Sequence, residues 1–144
     1  MLDPVRKIWT LSGSGEGTLI TAAGNSGNYQ PAAPPPWSPS ALSALDLRLI
    51  EDVWITALIT GVSGAGATLT VTLNGFDDSG NAWPIVSLGG ITATGVAGGK
   101  QMSIGKHGAS AGNYVVFPEW GQISWAVTGT TPQFSGVDIS VYGR

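Results

Sequence analysis

The stretch Ala67–Trp83, ATLTVTLNGFDDSGNAW, constrains this chain more than any other. Leu69, Val71 and Leu73 alternate with Thr68, Thr70, Thr72 and Asn74. Such strict period-2 alternation puts the apolar side chains on one face of an extended backbone and the polar ones on the other. Phe76 leads into Asp77-Asp78-Ser79-Gly80-Asn81, a cluster of turn formers, and the extended pattern resumes at Ala82-Trp83-Pro84-Ile85-Val86. Strand, short Gly-containing loop and strand predict a β-hairpin.

The same grammar continues with no helical interruption. Leu45, Leu47 and Leu49 alternate with Asp46 and Arg48, and Val53–Thr60 (VWITALIT) reads as a central strand covered on both sides. Gly61–Gly66 reads as a turn into the hairpin. Ile91–Thr94 and Lys100–Ile104 are short strand candidates, the latter with Met102 and Ile104 inward, and Tyr114–Phe117 is stopped by Pro118. Gln122–Thr128 places Ile123, Trp125 and Val127 on one face, and Gly129-Thr130-Thr131-Pro132 reads as a turn. Phe134–Tyr142 follows, with Val137, Ile139 and Val141 inward and Asp138, Ser140 and Tyr142 outward. About eight or nine strands spaced in this way predict an all-β fold, an antiparallel β-sandwich of jelly-roll-like character.

Residues 1–44 are a different kind of sequence, and the chain divides into an extended Gly/Pro-rich N-terminal arm over 1–44 and a β-sandwich domain over 45–144. Arg6–Leu11 and Thr18–Ala22 are short strand candidates set among Gly/Ser-rich linkers. Pro34, Pro35 and Pro36 enforce polyproline II and cannot donate to a β-ladder. Trp37 follows them directly. The segment reads either as a surface linker or as an arm laid across a neighbouring subunit with Trp37 as its anchor. Pro34, Pro35, Pro36, Trp37 and Trp120 are the candidate protein-interface residues.

Composition matters mainly for what it removes. Only 10% of the 144 residues are charged while 42% are hydrophobic, against about 25% charged in ordinary soluble domains. A surface covered by Thr, Ser, Asn, Gln and Gly has little charge to keep copies apart and suits a protein packed against others. A net charge of −3 with six scattered Lys and Arg offers no basic patch for nucleic acid. With no cysteine, disulfides and thiolate metal sites are impossible. No apolar run approaches the roughly 18 residues of a spanning helix, so no membrane is expected as a partner. The N-terminal residues show no apolar core of a secretory signal, so synthesis in the cytoplasm is expected.

Catalytic motifs are weak. Gly108-Ala109-Ser110-Ala111-Gly112, beside His107, fits G-x-S-x-G. A nucleophile elbow needs a strand before it and a helix after it, and both flanks here are loop and strand. His107 is the only histidine, so carboxylates would have to supply every other ligand of a metal site. Asp77–Asn81 lacks the spacing and terminal Glu of a calcium loop, and its residues are those a hairpin loop uses for its own hydrogen bonds. Glu51 and Asp52 are adjacent and therefore point to opposite faces of a strand. No enzyme activity, metal or cofactor is expected. Of six tryptophans, Trp54, Trp83 and Trp125 read as core. Trp9, Trp37 and Trp120 lie near turns or in the arm, where they could stack on sugars, fill a partner's pocket or be partly buried at sheet ends.

Gly121–Arg144, GQISWAVTGTTPQFSGVDISVYGR, resembles the C-terminal end of small β-sandwich virion proteins of tailed bacteriophages, the capsid decoration or cement proteins. The hairpin LTVTLNGFDDSGNAWPIVSL followed by ITATG is similar to the same group. The resemblance covers roughly residues 67–144. It implies a protein bound outside the head shell, in contact with the major capsid protein, often as a trimer, and stabilising the shell against internal DNA pressure. The alternatives are another virion part (tail tube, head–tail connector or fibre component) or a carbohydrate-binding module using exposed tryptophans.

Overall fold

The computed structural model describes residues 5–11, 18–27, 44–77, 79–105 and 119–144, with the backbone alone for 95–105. Among them there is no helix. The strands are β1 (Arg6–Leu11), β2 (Thr18–Ile20), β3 (Gly24–Asn25), β4 (Leu45–Asp46), β5 (Asp52–Ile59), β6 (Gly61–Phe76), β7 (Ala82–Ile91), β8 (Gly95–Gly105) and β9 (Trp120–Gly143). The all-β, antiparallel, sandwich-like architecture expected from the alternation is the one observed.

Three long stretches make the frame. β5 and β6 are separated only by Thr60, β7 and β8 only by residues 92–94, and β9 runs without a break. β9 lies antiparallel to β5 from Val53↔Gly143 to Leu58↔Asp138. It then continues in the same step along β6 from Gly61↔Ser135 to Gly75↔Gly121, with an irregularity around Ala65. β8 covers the far edge of β5 and β7 the far edge of β6. The result is a three-stranded sheet bent once across its width, so that its halves face each other.

The bend has a local cause. Phe134 and Val137 are both fully buried although three residues apart, which a straight strand cannot achieve. Between them Gly136 sits at φ +58, and a Cβ there would overlap the Thr60 side chain. Thr60 donates from its backbone N–H and from its hydroxyl to the Ser135 carbonyl, at 3.1 and 3.2 Å. Only glycine supplies that backbone conformation without a steric penalty.

The core lies between the folded halves. Val53, Ile55, Ala57 and Ile59 of β5 meet Leu69, Val71 and Leu73 of β6 and Ile123, Phe134, Ile139 and Val141 of β9 in one buried cluster. Directly paired residues share a face, as in Ile55↔Val141 and Leu73↔Ile123. The segment Leu45–Ile50 plugs the end of the sandwich remote from the bend. Leu47 lies where a Cβ on Gly121 would be, 2.6 Å from its Cδ1, and Ile50 packs on Gly143.

β1, β2, β3 and β4 all pair along the other edge of β9, from Arg6↔Gly143 down to Leu45↔Gly121. The described parts of residues 1–44 are therefore sheet edge belonging to the same body. Pro34, Pro35, Pro36 and Trp37 lie outside the described residues, as do His107, the Gly108–Gly112 motif and Tyr114–Phe117.

Two expected turns are not turns. Gly61–Gly66 and Gly129–Pro132 face each other within the β6–β9 ladder, with Ser63↔Gln133, Ala65↔Thr130 and Thr68↔Thr128. Gly64, Gly66, Gly129 and Thr131 take positive φ, and the register recovers beyond them. Turn-forming residues on both strands absorb matched irregularities, and neither strand reverses. β5 also differs from the expected doubly covered strand, since its burial alternates and Leu58 is exposed. Leu49 does not continue the alternation of Leu45 and Leu47, because the chain turns after Asp46.

Candidate functional site

Two turns at the end of the sandwich remote from the bend carry the most ordered exposed chemistry. Gly75 pairs with Trp83 on one side and with Gly121 on the other, and Gly121 pairs with Leu45. One row across four strands thus links the β6–β7 hairpin tip to the plug.

At the hairpin tip, Asp77 organises everything. Its Oδ1 accepts from the backbone N–H groups of Ser79 and Asn81, each at 2.9 Å. Its Oδ2 accepts from Asn81 Nδ2 at 3.0 Å and from the Trp83 indole Nε1 at 3.1 Å. These donors favour the charged form, and the Trp83 and Asn81 side chains above all hold the Asp77 pKa down at about 2. A carboxylate has about four acceptor positions, and all are occupied within the turn. Trp83 is 62% exposed, contrary to its expected place in the core. The register places it opposite Gly75 in the last row at this end of the sandwich, and Asp77 ties down its polar edge while leaving ring surface in water.

At the plug, Asp46 and Arg48 form a bidentate pair, Nε to Oδ1 at 3.0 Å and Nη2 to Oδ2 at 2.8 Å. The hydrogen bond from Arg48 lowers the Asp46 pKa and raises that of Arg48. The guanidinium also lies 4.7 Å from the centre of the Trp120 ring, a cation–π stack. Trp120, one of the candidate interface residues, is only 8% exposed and lies beneath Arg48. Ile50 N–H donates to Leu47 O at 3.1 Å and closes the turn. Leu49, at its tip, is 84% exposed.

Among the described residues, the outer face of the β6–β9 ladder is short of charge. Thr68, Thr70 and Thr72 stand opposite Thr128, Ala126 and Ser124 on the outside of the β6–β9 ladder. Asn74 and Gln122 are buried on that side, with Asn74 Nδ2 donating to Gln122 Oε1 and Ser124 Oγ at 3.2 and 2.9 Å, and Gln122 Nε2 donating to Gly27 O at 3.0 Å. Trp54, expected in the core, is half-buried beneath Arg144, which also pairs with Asp52 at 3.0 Å. Glu51 is exposed, and its backbone N–H donates to the Arg144 carbonyl at 2.7 Å. Trp125 packs against the core as expected, and so does Trp9 of β1. Among the described residues no three His, Asp or Glu gather as a metal site would require. Sequence reasoning missed Leu49 and Trp83 as exposed positions. The signal for Trp83 was the Asp77–Asn81 cluster six to two residues before it, rich in side chains able to hold an indole N–H.

No protein-family description, curated protein or solved structure matches this chain.

Proposed function

We propose that the chain is a structural subunit of a tailed-phage virion, a decoration or cement protein on the outside of the head shell. It acts without catalysis and without a cofactor. Its partner is the major capsid protein, and it works as a homotrimer. The observation that carries this reading is the outer surface. The outer face of the β6–β9 ladder presents threonine, serine and alanine, and the described ion pairs, Asp46–Arg48 and Asp52–Arg144, are satisfied inside the subunit. Such a face can be covered by neighbours with little unpaired charge to desolvate. Many weak contacts of this kind become strong when several subunits are linked on one lattice. The likeness of residues 67–144 to small sandwich proteins of phage virions supports the same reading.

Sedimentation or mass photometry of the purified chain, alone and added to undecorated heads, tests it. A trimer that saturates the heads at fixed stoichiometry and raises their thermal stability is expected. A species that ignores heads overturns it. Ring formation would instead assign the chain to the tail tube or connector. The exposed Trp83 ring favours one other reading, a carbohydrate-binding module, whose mark would be quenching of tryptophan fluorescence by a soluble glycan.

A further inference from the structure

We propose that Asn74 is a latent site of covalent modification, deamidation through the Gly75 nitrogen, which the folded sheet holds shut and which, once it has occurred in an opened chain, keeps that end of the sheet from closing again. The inference is independent of the partner the chain binds.

Asn74-Gly75 is the one Asn-Gly pair in the sequence. Asparagine amides are chemically labile, and a following glycine, with no side chain and a permissive backbone, opposes ring closure least. The Gly75 amide nitrogen attacks Asn74 Cγ, a new N–Cγ bond forms, the Cγ–Nδ2 bond breaks, and the amide leaves as ammonia carrying the Gly75 proton. One water then opens the cyclic imide at either carbonyl. The product is an aspartate at 74, or an isoaspartate in which the main chain runs through the former side chain. No oxidant or enzyme is needed.

The fold opposes each requirement of that reaction. Asn74 is 8% exposed and Gly75 is buried. Both are rungs of two ladders at once, Asn74 between Pro84 and Gln122 and Gly75 between Trp83 and Gly121, so the backbone cannot rotate to bring nitrogen and carbon together. The leaving group is tethered as well, since Nδ2 donates to Gln122 Oε1 at 3.2 Å and to Ser124 Oγ at 2.9 Å.

The same contacts reject the product. An aspartate has no Nδ2 to donate, and its carboxylate would stand against Gln122 Oε1, another acceptor. Turning the Gln122 amide over to meet it would direct an oxygen at the Gly27 carbonyl, which now accepts from Gln122 Nε2 at 3.0 Å. A buried carboxylate without donors is strongly unfavourable. Isoaspartate adds a backbone atom inside a strand paired on both sides, which breaks the register from Gly75 to the hairpin tip. Opening at this row is thus recorded in the chain and made permanent.

The test incubates the full chain in mildly alkaline buffer, folded or unfolded in urea, and follows conversion at Asn74 by peptide mass mapping. Because only the opened fraction reacts, conversion is expected to be slower in the folded chain by at least about a hundredfold and to rise with urea as that fraction grows. After removal of urea, chains converted at Asn74 are expected to fall short of the wild-type urea midpoint. Chains held for the same time in the same urea in mildly acidic buffer, where the Gly75 nitrogen is a poorer nucleophile, are expected to recover it, which separates the modification from any other damage by unfolding. Conversion in the folded chain within about tenfold of the unfolded rate would show that the sheet does not shut the site, and would overturn the proposal. Converted chains that regain the wild-type midpoint would overturn it equally, because the row would then accept the acid.

Discussion

The four hydrogen bonds converging on Asp77 turn one residue into a sensor of its own hairpin. Its folded pKa of about 2 lies below the ordinary 3.8. The unfolded chain therefore takes up a proton at a higher pH than the folded one does. The stabilising contribution of the turn is complete above about pH 4 and is lost as the pH falls toward 2. Because the indole N–H is one of the four donors, protonation releases the Trp83 ring. A change in tryptophan emission on acidification toward pH 2 is expected in the wild-type chain. The Asp77→Asn variant has no carboxyl to protonate at that position, so the component of the change that is due to Trp83 should vanish, and Trp83→Phe should remove the same component. An identical acid response in all three chains would mean that the hairpin tip does not hold the indole.

At the scale of elements, the bend in the long β5–β6 and β9 pair rests on Gly136. An alanine there meets both an unfavourable φ of +58 and the Thr60 side chain. A strained backbone of this kind costs about 1–3 kcal/mol, and the steric overlap adds to it. Gly136→Ala is expected to lower the urea midpoint accordingly, and pairing it with Thr60→Ala should recover the steric part but not the backbone part. Additive loss in the double variant would separate the two sites. The bend also shows where reading the sequence succeeds and stops. Alternation at Leu69–Leu73 and Val137–Val141 predicts strands and their inward faces, because a local period needs no knowledge of the partner. Glycine clusters at Gly61–Gly66 and Gly129–Pro132 predict turns, and the chain does depart from extended geometry there. Whether such a departure reverses the strand depends on what lies opposite, and here each cluster has the other across the ladder. Trp83 and Leu49 escaped for the same reason. Their spacing is that of buried residues, and only the position of a sheet end shows that there is nothing left to bury them.

On the scale of the whole molecule, β9 is the strand against which nearly everything is paired, and its two edges are closed by different parts of the chain. β5 and β6 close one edge by a ladder of residues close behind the core. The other edge is closed by β1 to β4, short pieces drawn from the first third of the chain. β1 is the longest of these and covers Ile139–Gly143, bringing Ile8, Trp9 and Leu11 against the core. A chain beginning at Ser12 loses that cover. Three half-buried apolar side chains correspond to about 3 kcal/mol at ordinary transfer values, so its urea midpoint should fall markedly. It would also leave a row of unpaired backbone groups beside an apolar sheet, which is a template for pairing with another chain. With only 10% of residues charged, little repulsion opposes that pairing. The truncated chain is therefore expected to associate in proportion to its concentration in sedimentation, and a peptide of residues 5–11 added in excess should bind it, restore the midpoint and suppress the association. A truncated chain that stays monomeric with the wild-type midpoint would show instead that β9 needs no cover on this side, and that the first strand is free to be used elsewhere in an assembly.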